Sequence, residues 1–281
     1  MPPPLVVRAF EASDEEGTRA LLTRVFGDAG ALDRFASGNP LGEPLRVVAT
    51  IGDKVVGFNT WNAWRIHLNH ALPIVYQSGG SAVDPDTRGQ GVFAKLLAKG
   101  AEVGTERGIQ FFVGFPNPAS FKSFLRDGWQ HVGSMDLRVA TVPALGRYRG
   151  PVAPSDADAF ARWRYGEVNA SCAEIQTKRG VHRAYYSRTH RFGVPILKLL
   201  DVLRDDGVRD LSNLLTVCRQ LPGPGPVLLR TTKDVIPEYR ALTIPREWST
   251  PVILKRLPAG DATLETALIA SPFMYGDIDA A

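Results

Sequence analysis

Residues 78–97 combine side chains and spacings that suit the binding of a phosphate group. A small and apolar run breaks at a proline, turns through a glycine-containing segment and continues as a helical pattern of apolar residues. The first backbone N–H groups of a helix have no partner inside it, and the helix dipole favours negative charge there. Gly89 and Gly91 leave the backbone uncovered, and Arg88 supplies a permanently charged guanidinium. The stretch therefore predicts a pyrophosphate site.

The same glycines also fit the dinucleotide-binding spacing G-x-G-x-x-A, with Ala94 as its last member. That motif has its first glycine directly after the strand, whereas residues 84–88 intervene here. It also needs an acidic residue at the end of the next strand, and the predicted strand 109–115 has none. The sequence contains no Walker-type phosphate loop either. Both of these alternatives are therefore disfavoured.

Residues 82–91, AVDPDTRGQG, resemble the acetyl-coenzyme A (acetyl-CoA) loop of the GNAT superfamily of N-acetyltransferases, which reads Arg/Gln-x-x-Gly-x-Gly/Ala. Arg88 and Gly91 match its first and fourth positions, whereas Phe93 stands where the family has Gly or Ala. The family's downstream motif of Asn, a small residue, Tyr and Gly-Phe is matched by Asn117, Ser120, Phe124 and Gly128-Trp129. The resemblance covers about residues 4–140.

This resemblance implies an acyltransferase that moves an acetyl group from acetyl-CoA to an amine of a small-molecule or peptide acceptor. It also implies that the chain splays apart beside the fourth strand, which frees backbone groups near Ala82 and Val83 to pair with the amide-bearing arm of the cofactor. The implied cofactor-binding residues are Ala82, Val83, Arg88, Gly89, Gln90, Gly91, Val92, Phe93, Asn117, Ser120 and Phe124. Neither the acceptor nor the length of the acyl chain follows from the sequence.

The acid and base of such a reaction are not evident. The family's tyrosine acid corresponds to Phe124, and a glutamate base on the fourth strand corresponds to Gln77, so neither side chain can transfer a proton. The remaining candidates are Tyr76, Ser81, Asp84 and Ser120, together with the run Tyr275-Gly276-Asp277. The alternative hypothesis is a non-catalytic acyl-CoA-binding or regulatory protein of the same fold.

The predicted strands and helices of the first half determine where these residues lie in the fold. Apolar patterns and turn signals in the first half predict a strand, two helices, three strands, a helix, a strand, a helix and a strand, which is the order of the GNAT fold. We therefore expect an α/β fold with a mixed, mostly antiparallel sheet flanked by helices, in an acetyl-CoA-binding domain over residues 1–140.

The second half is expected to form a smaller α/β domain over residues 157–281, after a Pro- and Gly-rich linker over 141–156. Its predicted elements suggest a degenerate GNAT-like half. It contains no phosphate loop, and Asp205-Asp206 would repel a pyrophosphate. We expect one cofactor site per chain.

The composition argues against several classes of function. A length of 281 residues with 44% hydrophobic residues suits two domains, and a net charge of +4 without a basic stripe does not favour nucleic-acid binding. Two cysteines outside any metal spacing predict a reducing compartment, and no segment approaches the roughly eighteen apolar residues of a membrane span. His67 and His70 lack a third ligand, so no metal site is expected. These observations predict a cytoplasmic protein that binds neither membrane nor nucleic acid.

Overall fold

The computed structural model describes residues 3–33, 38–66, 73–140, 144–145, 159–167, 170–191, 193–204, 207–222, 224–232, 241–243, 249–270 and 273. The chain forms two compact units. Unit 1 comprises Met1–Arg65, Ile74–Val132 and Val252–Ile269, and unit 2 comprises Ile66–Pro73, Gly133–Pro251 and Ala270–Ala281.

The described strands and helices are numbered along the chain. The strands are β1 (Leu5–Ala9), β2 (Leu45–Ile51), β3 (Lys54–Arg65), β4 (Ile74–Val83), β5 (Phe111–Gly114), β6 (Gln130–Ala140), β7 (Ala144–Leu145), β8 (Ser171–Thr177), β9 (Gly180–Arg191), β10 (Val194–Arg204), β11 (Pro224–Gly225), β12 (Val227–Thr232), β13 (Ala241–Thr243) and β14 (Thr250–Arg256). The helices are α1 (Glu15–Phe26), α2 (Gly30–Asp33), α3 (Val92–Glu106), α4 (Pro118–Arg126), α5 (Ala159–Glu167), α6 (Leu214–Gln220) and α7 (Ala262–Ile269). None of these described helices is long and apolar enough to cross a membrane.

Unit 1 contains a mixed sheet with the strand order β1-β2-β3-β4-β5-β14. Every neighbouring pair is antiparallel except β4 and β5, which run parallel and are joined by α3. A parallel pair requires such a crossover, because the chain must return to the end of the sheet from which it started. The predicted element order of the first half is confirmed, and so is the mixed, mostly antiparallel sheet flanked by helices.

Two helices bury the sheet of unit 1, because successive side chains of a strand point to opposite faces. One cluster joins α1 to the sheet and includes Leu21, Leu22, Val48, Phe58 and Ala82. The other joins α3 to the sheet and includes Leu45, Val47, Trp61, Val92, Leu96 and Leu97. Every residue of β3 except the first and the last is therefore buried. This packing fixes where β4 ends and where α3 begins.

The helix α3 lies very close to the sheet at Gly100. A carbon atom added at Cα of Gly100 would lie 2.1 Å from Cη2 of Trp61, whose side chain is fully buried. The indole ring also stacks on Phe112 of β5, with ring centroids 5.3 Å apart. A glycine is required at this crossing because no larger residue would allow the indole to lie under the helix.

Unit 2 contains the strand order β6-β12-β10-β9-β8, and β13 also pairs with β6. The strands β10 and β12 run parallel and are joined by α6, whereas β8-β9 and β9-β10 are antiparallel. The sequence of pairings from β8 to β12 thus repeats the sequence from β2 to β5: two antiparallel pairs, then a parallel pair joined by a helix. Its core includes Tyr186, Leu199, Val202, Val217 and Leu229.

The observed units differ from the predicted domains in several places. Val252–Ile269, which we expected in the second domain, lies in unit 1, where β14 pairs with β5. The hairpin of β8 and β9 was not predicted. The predicted linker lies mostly outside the described residues, as do His67, His70, Asp205, Asp206 and residues 275–277.

Replacing Gly100 by alanine is expected to lower the free energy of unfolding. The added methyl group would overlap the buried indole of Trp61, and overpacking of this kind costs about 1–3 kcal/mol. Gly166→Ala in α5 is the control, because nothing lies within 4 Å of its added carbon. Alanine also favours a helix by roughly 0.5–1 kcal/mol there. Urea unfolding measures the stability of both variants, and because each gains the same helix propensity, Gly166→Ala is the reference. A Gly100→Ala protein as stable as Gly166→Ala would contradict the close packing of α3 on Trp61.

Candidate functional site

An open cleft with a volume of about 450 Å³ lies in unit 1, where β4 leads into α3. Its lining residues are Val83, Thr87, Arg88, Gly89, Gly91, Val92, Phe93, Ala94, Ser123, Arg126 and Asp127. Six of these were predicted to bind a cofactor, namely Val83, Arg88, Gly89, Gly91, Val92 and Phe93. The structure therefore gathers most of the predicted loop around one concave surface.

The turn before α3 presents the start of the helix to this cleft. Gly89 and Gly91 adopt left-handed conformations, with φ of 79° and 75°, which residues with a side chain rarely adopt. Gly91 is the N-cap of α3, so no side chain caps the first turn. The first N–H groups of α3 are consequently available to an anion, and the helix dipole adds to the attraction.

The charged side chains around the cleft leave it cationic. Arg88 and Arg126 both line it and are exposed. Within the described part of the chain, neither forms a salt bridge. The carboxylate of Asp127 also lines the cleft, but Nζ of Lys255 lies 2.6 Å from its Oδ2 and compensates its charge. An anionic ligand therefore meets two unpaired guanidinium groups and a paired carboxylate.

Asp84, one of the catalytic candidates, holds this turn in place. Its side chain is 1% exposed, and Oδ2 lies 2.9 Å from Nη1 of Arg24 and 2.7 Å from Nζ of Lys54. Its Oδ1 accepts a hydrogen bond of 3.0 Å from the backbone N–H of Asp86, and its carbonyl oxygen accepts one from the hydroxyl of Thr87. Because both carboxylate oxygens are occupied, the geometry favours a structural role over proton transfer.

These contacts also determine the ionisation of Asp84. Burial alone would raise the pKa of its carboxyl group. The hydrogen bond from Lys54, the hydrogen bond from the backbone of Asp86 and the charges of Lys54 and Arg24 outweigh burial and lower that pKa below its ordinary value. Asp84 is therefore a carboxylate at neutral pH, and it stabilises the fold in that form.

Beside the cleft, β4 separates from its parallel neighbour. Tyr76, Gln77 and Ser78 pair with β5, but β5 ends at Gly114, the partner of Ser78. On its other side β4 remains paired with β3 as far as Val83. Among the described residues, 79–83 have no strand partner on this side and present one free backbone edge, which is the predicted splay. Ala82 contributes only its backbone to this edge, because its side chain is packed in the cluster beneath α1.

A β-bulge lies in the same part of β4. Gly80 and Ser81 together face the single residue Asn59 of β3, between the pairs Thr60–Gly79 and Phe58–Ala82. The buried side chain of Asn59 donates a hydrogen bond of 3.3 Å to Oγ of Ser78 and accepts one from the hydroxyl of Ser81. No local pattern indicated Asn59, because it lies inside a strand and belongs to no motif.

The downstream motif occupies the start and the buried face of α4. Asn117 caps this helix, with its Oδ1 3.0 Å from the backbone nitrogen and 3.2 Å from the hydroxyl oxygen of Ser120. Phe124 is 4% exposed and packs edge-on against Phe93 and Trp129, at centroid distances of 5.3 and 4.9 Å. Phe124 therefore packs behind Phe93, which lines the cleft. A direct contact between Phe124 and a cofactor stays a prediction.

The remaining candidates lie away from the cleft lining. Tyr76 is partly buried against the cluster beneath α3, and its hydroxyl group approaches Gly42. Gln77 is buried, and its Oε1 has no hydrogen-bond partner among the described residues. Ala82, Gln90, Asn117 and Ser120 do not line the cleft either. In the described part of the chain, no group of three or more His, Cys, Asp or Glu side chains could hold a metal ion.

Five lining residues were not predicted from the sequence, namely Thr87, Ala94, Ser123, Arg126 and Asp127. A usable signal existed for two of them. Ser123 and Asp127 follow Ser120 at three and seven residues, a spacing that places all three on one side of α4.

Comparison with known proteins identifies this arrangement. Residues 6–132 match the family model described as an acetyltransferase (GNAT) domain. These residues belong to the GNAT acetyltransferase family. The predicted resemblance is thereby confirmed for this part of the chain, and the cleft lies within the GNAT domain. No curated protein matches the chain.

Solved structures extend the likeness in fold beyond the GNAT domain. A GCN5-related N-acetyltransferase from Anabaena variabilis is 13% identical, with a TM-score of 0.62 over 90% of this chain and 73% of that chain. A probable N-acyltransferase from Enterococcus faecalis is 10% identical, with a TM-score of 0.62 over 91% of this chain and 73% of that chain. The GNAT acetyltransferase YhbS from Escherichia coli, solved in complex with CoA, is 25% identical over 45% of this chain and 68% of its own, with a TM-score of 0.38.

Replacing Asp84 by asparagine is expected to lower the free energy of unfolding at pH 7 by about 1–3 kcal/mol, because Lys54 and Arg24 lose a buried partner. The folded pKa of Asp84 is lowered, so its stabilisation is complete above the unfolded pKa of about 3.9 and is lost as the pH falls through the folded value. The difference between the two proteins should shrink below about pH 4.

The control for this measurement is Asp86→Asn. Asp86 also contacts Arg24, at 2.8 Å, but its side chain is 69% exposed, so the change should stay within about 0.5 kcal/mol. Urea unfolding at several pH values follows both variants. A difference between wild type and Asp84→Asn that persists undiminished at pH 3 would rule out the ionised Asp84 as its cause.

Proposed function

We propose that this protein is an N-acetyltransferase that transfers an acetyl group from acetyl-CoA to an amine. The observation that carries the proposal is the uncapped first turn of α3, which opens with Arg88 onto a cationic cleft inside a GNAT domain. The backbone N–H groups of such a turn lack partners, so they can donate hydrogen bonds to a pyrophosphate.

The geometry of β4 supports a position for the rest of the donor. The free edge of residues 79–83 ends at Val83, which lines the cleft. The arm of coenzyme A that links its pyrophosphate to its sulfur contains amide groups, and these can pair with a free strand edge as an added strand does. We propose that this arm runs along β4 and that the thioester lies where β4 and β5 part.

The proposed reaction is direct attack of a neutral amine on the thioester carbon. The protein would contribute mainly by holding the two reactants in attack geometry, which can account for about 7–11 kcal/mol of a barrier. Backbone N–H groups on the free edge of β4 are suited to stabilise the oxyanion that forms. A base is needed for an amine that arrives protonated, because an alkyl ammonium has a pKa near 10. Tyr76, Ser81 and Ser120 stay candidates for proton transfer, whereas the contacts of Asp84 favour a structural role.

Ser78 is a further candidate to assist the departing thiolate. It is the last residue of β4 that pairs with β5, so it lies where the strands part. Its Oγ accepts a hydrogen bond from Asn59, which leaves its own proton free to be donated. A thiol with a pKa near 8.5 is a fairly good leaving group, so one hydrogen bond can replace the acid that Phe124 cannot supply.

We propose that unit 2 is a degenerate GNAT-like half without a cofactor of its own. The repeated order of pairings, with β10 and β12 parallel across α6, supports this assignment. The second candidate function is non-catalytic binding of acyl-CoA. It is favoured by Phe124 and Gln77, which stand where the family's acid and base are expected.

Coenzyme A binding and turnover separate the two functions. Calorimetry with acetyl-CoA and with NADH measures binding, and thiol release in the presence of primary amines and lysine-containing peptides measures transfer. We expect acetyl-CoA to bind at one site per chain, NADH to bind weakly or not at all, and at least one amine to release thiol. Binding without turnover on any amine would favour the non-catalytic function, and tighter binding of NADH would overturn both.

Matched variants test whether acetyl-CoA binds in the cleft. Arg88→Ala should weaken acetyl-CoA binding by about tenfold, because it removes a charge-assisted hydrogen bond. Arg107→Ala removes the same charge at the other end of α3 and should change nothing. Gly91→Val should abolish binding, because valine is strained at a φ of 75° and would cover the backbone.

A further inference from the structure

A second guanidinium lines the cleft on an element different from the one that carries Arg88. Arg126 lies in the last turn of α4, whereas Arg88 precedes α3. Its Nε donates a hydrogen bond of 3.3 Å to the carbonyl oxygen of Lys122, which leaves its terminal nitrogens available. In the described structure no carboxylate forms an ion pair with it. Arg126 is thus a cation that lines the cleft without a carboxylate partner.

The charges close to Arg126 are arranged so that an anion can approach. Asp127, the next residue, would repel a phosphate group if its charge were free. Nζ of Lys255 lies 2.6 Å from Oδ2 of Asp127 and 2.8 Å from its carbonyl oxygen. Nε1 of Trp129 also donates to that carboxylate, at 3.2 Å. The end of α4 therefore offers one unpaired positive charge and no unpaired negative charge to the cleft.

The first turn of α3 and Arg88 lie together and offer one site for a pyrophosphate. Arg126 lines the cleft from a different helix and is available to a second anionic group. Coenzyme A has such a group, a phosphomonoester on the 3′ oxygen of its ribose. A planar guanidinium is the side chain best suited to bind a phosphate through two parallel hydrogen bonds. We infer that Arg126 binds the 3′-phosphate of coenzyme A and so distinguishes the coenzyme from its 3′-dephospho form. The inference rests on the proposed function.

The competing arrangement uses the same chemistry at a different phosphate. Arg88 and Arg126 could both hold the pyrophosphate, one from each side. In that case the loss of Arg126 would weaken every ligand that contains the pyrophosphate, whether or not it carries the 3′-phosphate. The two arrangements therefore make opposite predictions for 3′-dephospho-coenzyme A.

Calorimetry with coenzyme A and with 3′-dephospho-coenzyme A tests the inference on wild type, Arg126→Gln, Arg88→Gln and the control Lys122→Gln. Lys122 is exposed on the same helix and does not line the cleft. Wild type should bind coenzyme A about tenfold more tightly than the dephospho form, as expected for one charge-assisted contact. Arg126→Gln should reduce that preference to about twofold or less by weakening coenzyme A alone.

The other variants separate the possible causes. Arg88→Gln should weaken both ligands by a similar factor, and Lys122→Gln should weaken neither. An equal loss of both ligands in Arg126→Gln would overturn the inference in favour of the shared pyrophosphate, and no change in that variant would overturn it as well. If wild type binds the two ligands equally, the inference fails while the proposed function stands. If wild type binds neither, the proposed function itself fails.

Discussion

Asp84 joins three parts of unit 1 at one point. Its carboxylate contacts Arg24 of α1 and Lys54 of β3, and it accepts a hydrogen bond from the backbone of the turn that follows β4. A charge buried in this way is stable only while each partner stays in place, because removing one leaves the others without compensation. The end of β4 is therefore fixed against both the sheet and α1. This constraint determines where the turn carrying Arg88 lies and where the first N–H groups of α3 point.

The candidate site combines this fixed turn with a strand edge that pairs with no described strand. The parallel pairing of β4 and β5 stops at Ser78 and Gly114, while β4 continues for five more residues to Val83. A buried edge would leave backbone groups without hydrogen bonds, so such an edge normally lies where a ligand or solvent can reach it. The turn supplies positive potential and the edge supplies hydrogen-bonding groups, and both adjoin the same cleft. Binding and positioning of an acyl donor follow from backbone geometry more than from any catalytic side chain.

The sequence was informative where structure is local. Glycines before a helix and turn signals between apolar runs act over a few residues, so the phosphate-binding turn and the order of elements from β1 to β6 could be predicted. Pairing between distant strands has no such signal. That β14 pairs with β5 depends on contacts between residues more than a hundred positions apart, and no local pattern indicates the partner. Asn59 and Arg126 were missed for the same reason, since only the folded chain brings them to the site.

Amide hydrogen exchange can show whether the first turn of α3 holds the pyrophosphate of coenzyme A. Exchange measured with and without saturating coenzyme A reports on each backbone N–H group separately. We expect slower exchange for residues 89–94 and along the free edge at 79–83, with no change across β10, α6 and β12. Unchanged exchange at the start of α3 while coenzyme A is bound, or equal protection in both units, would contradict it.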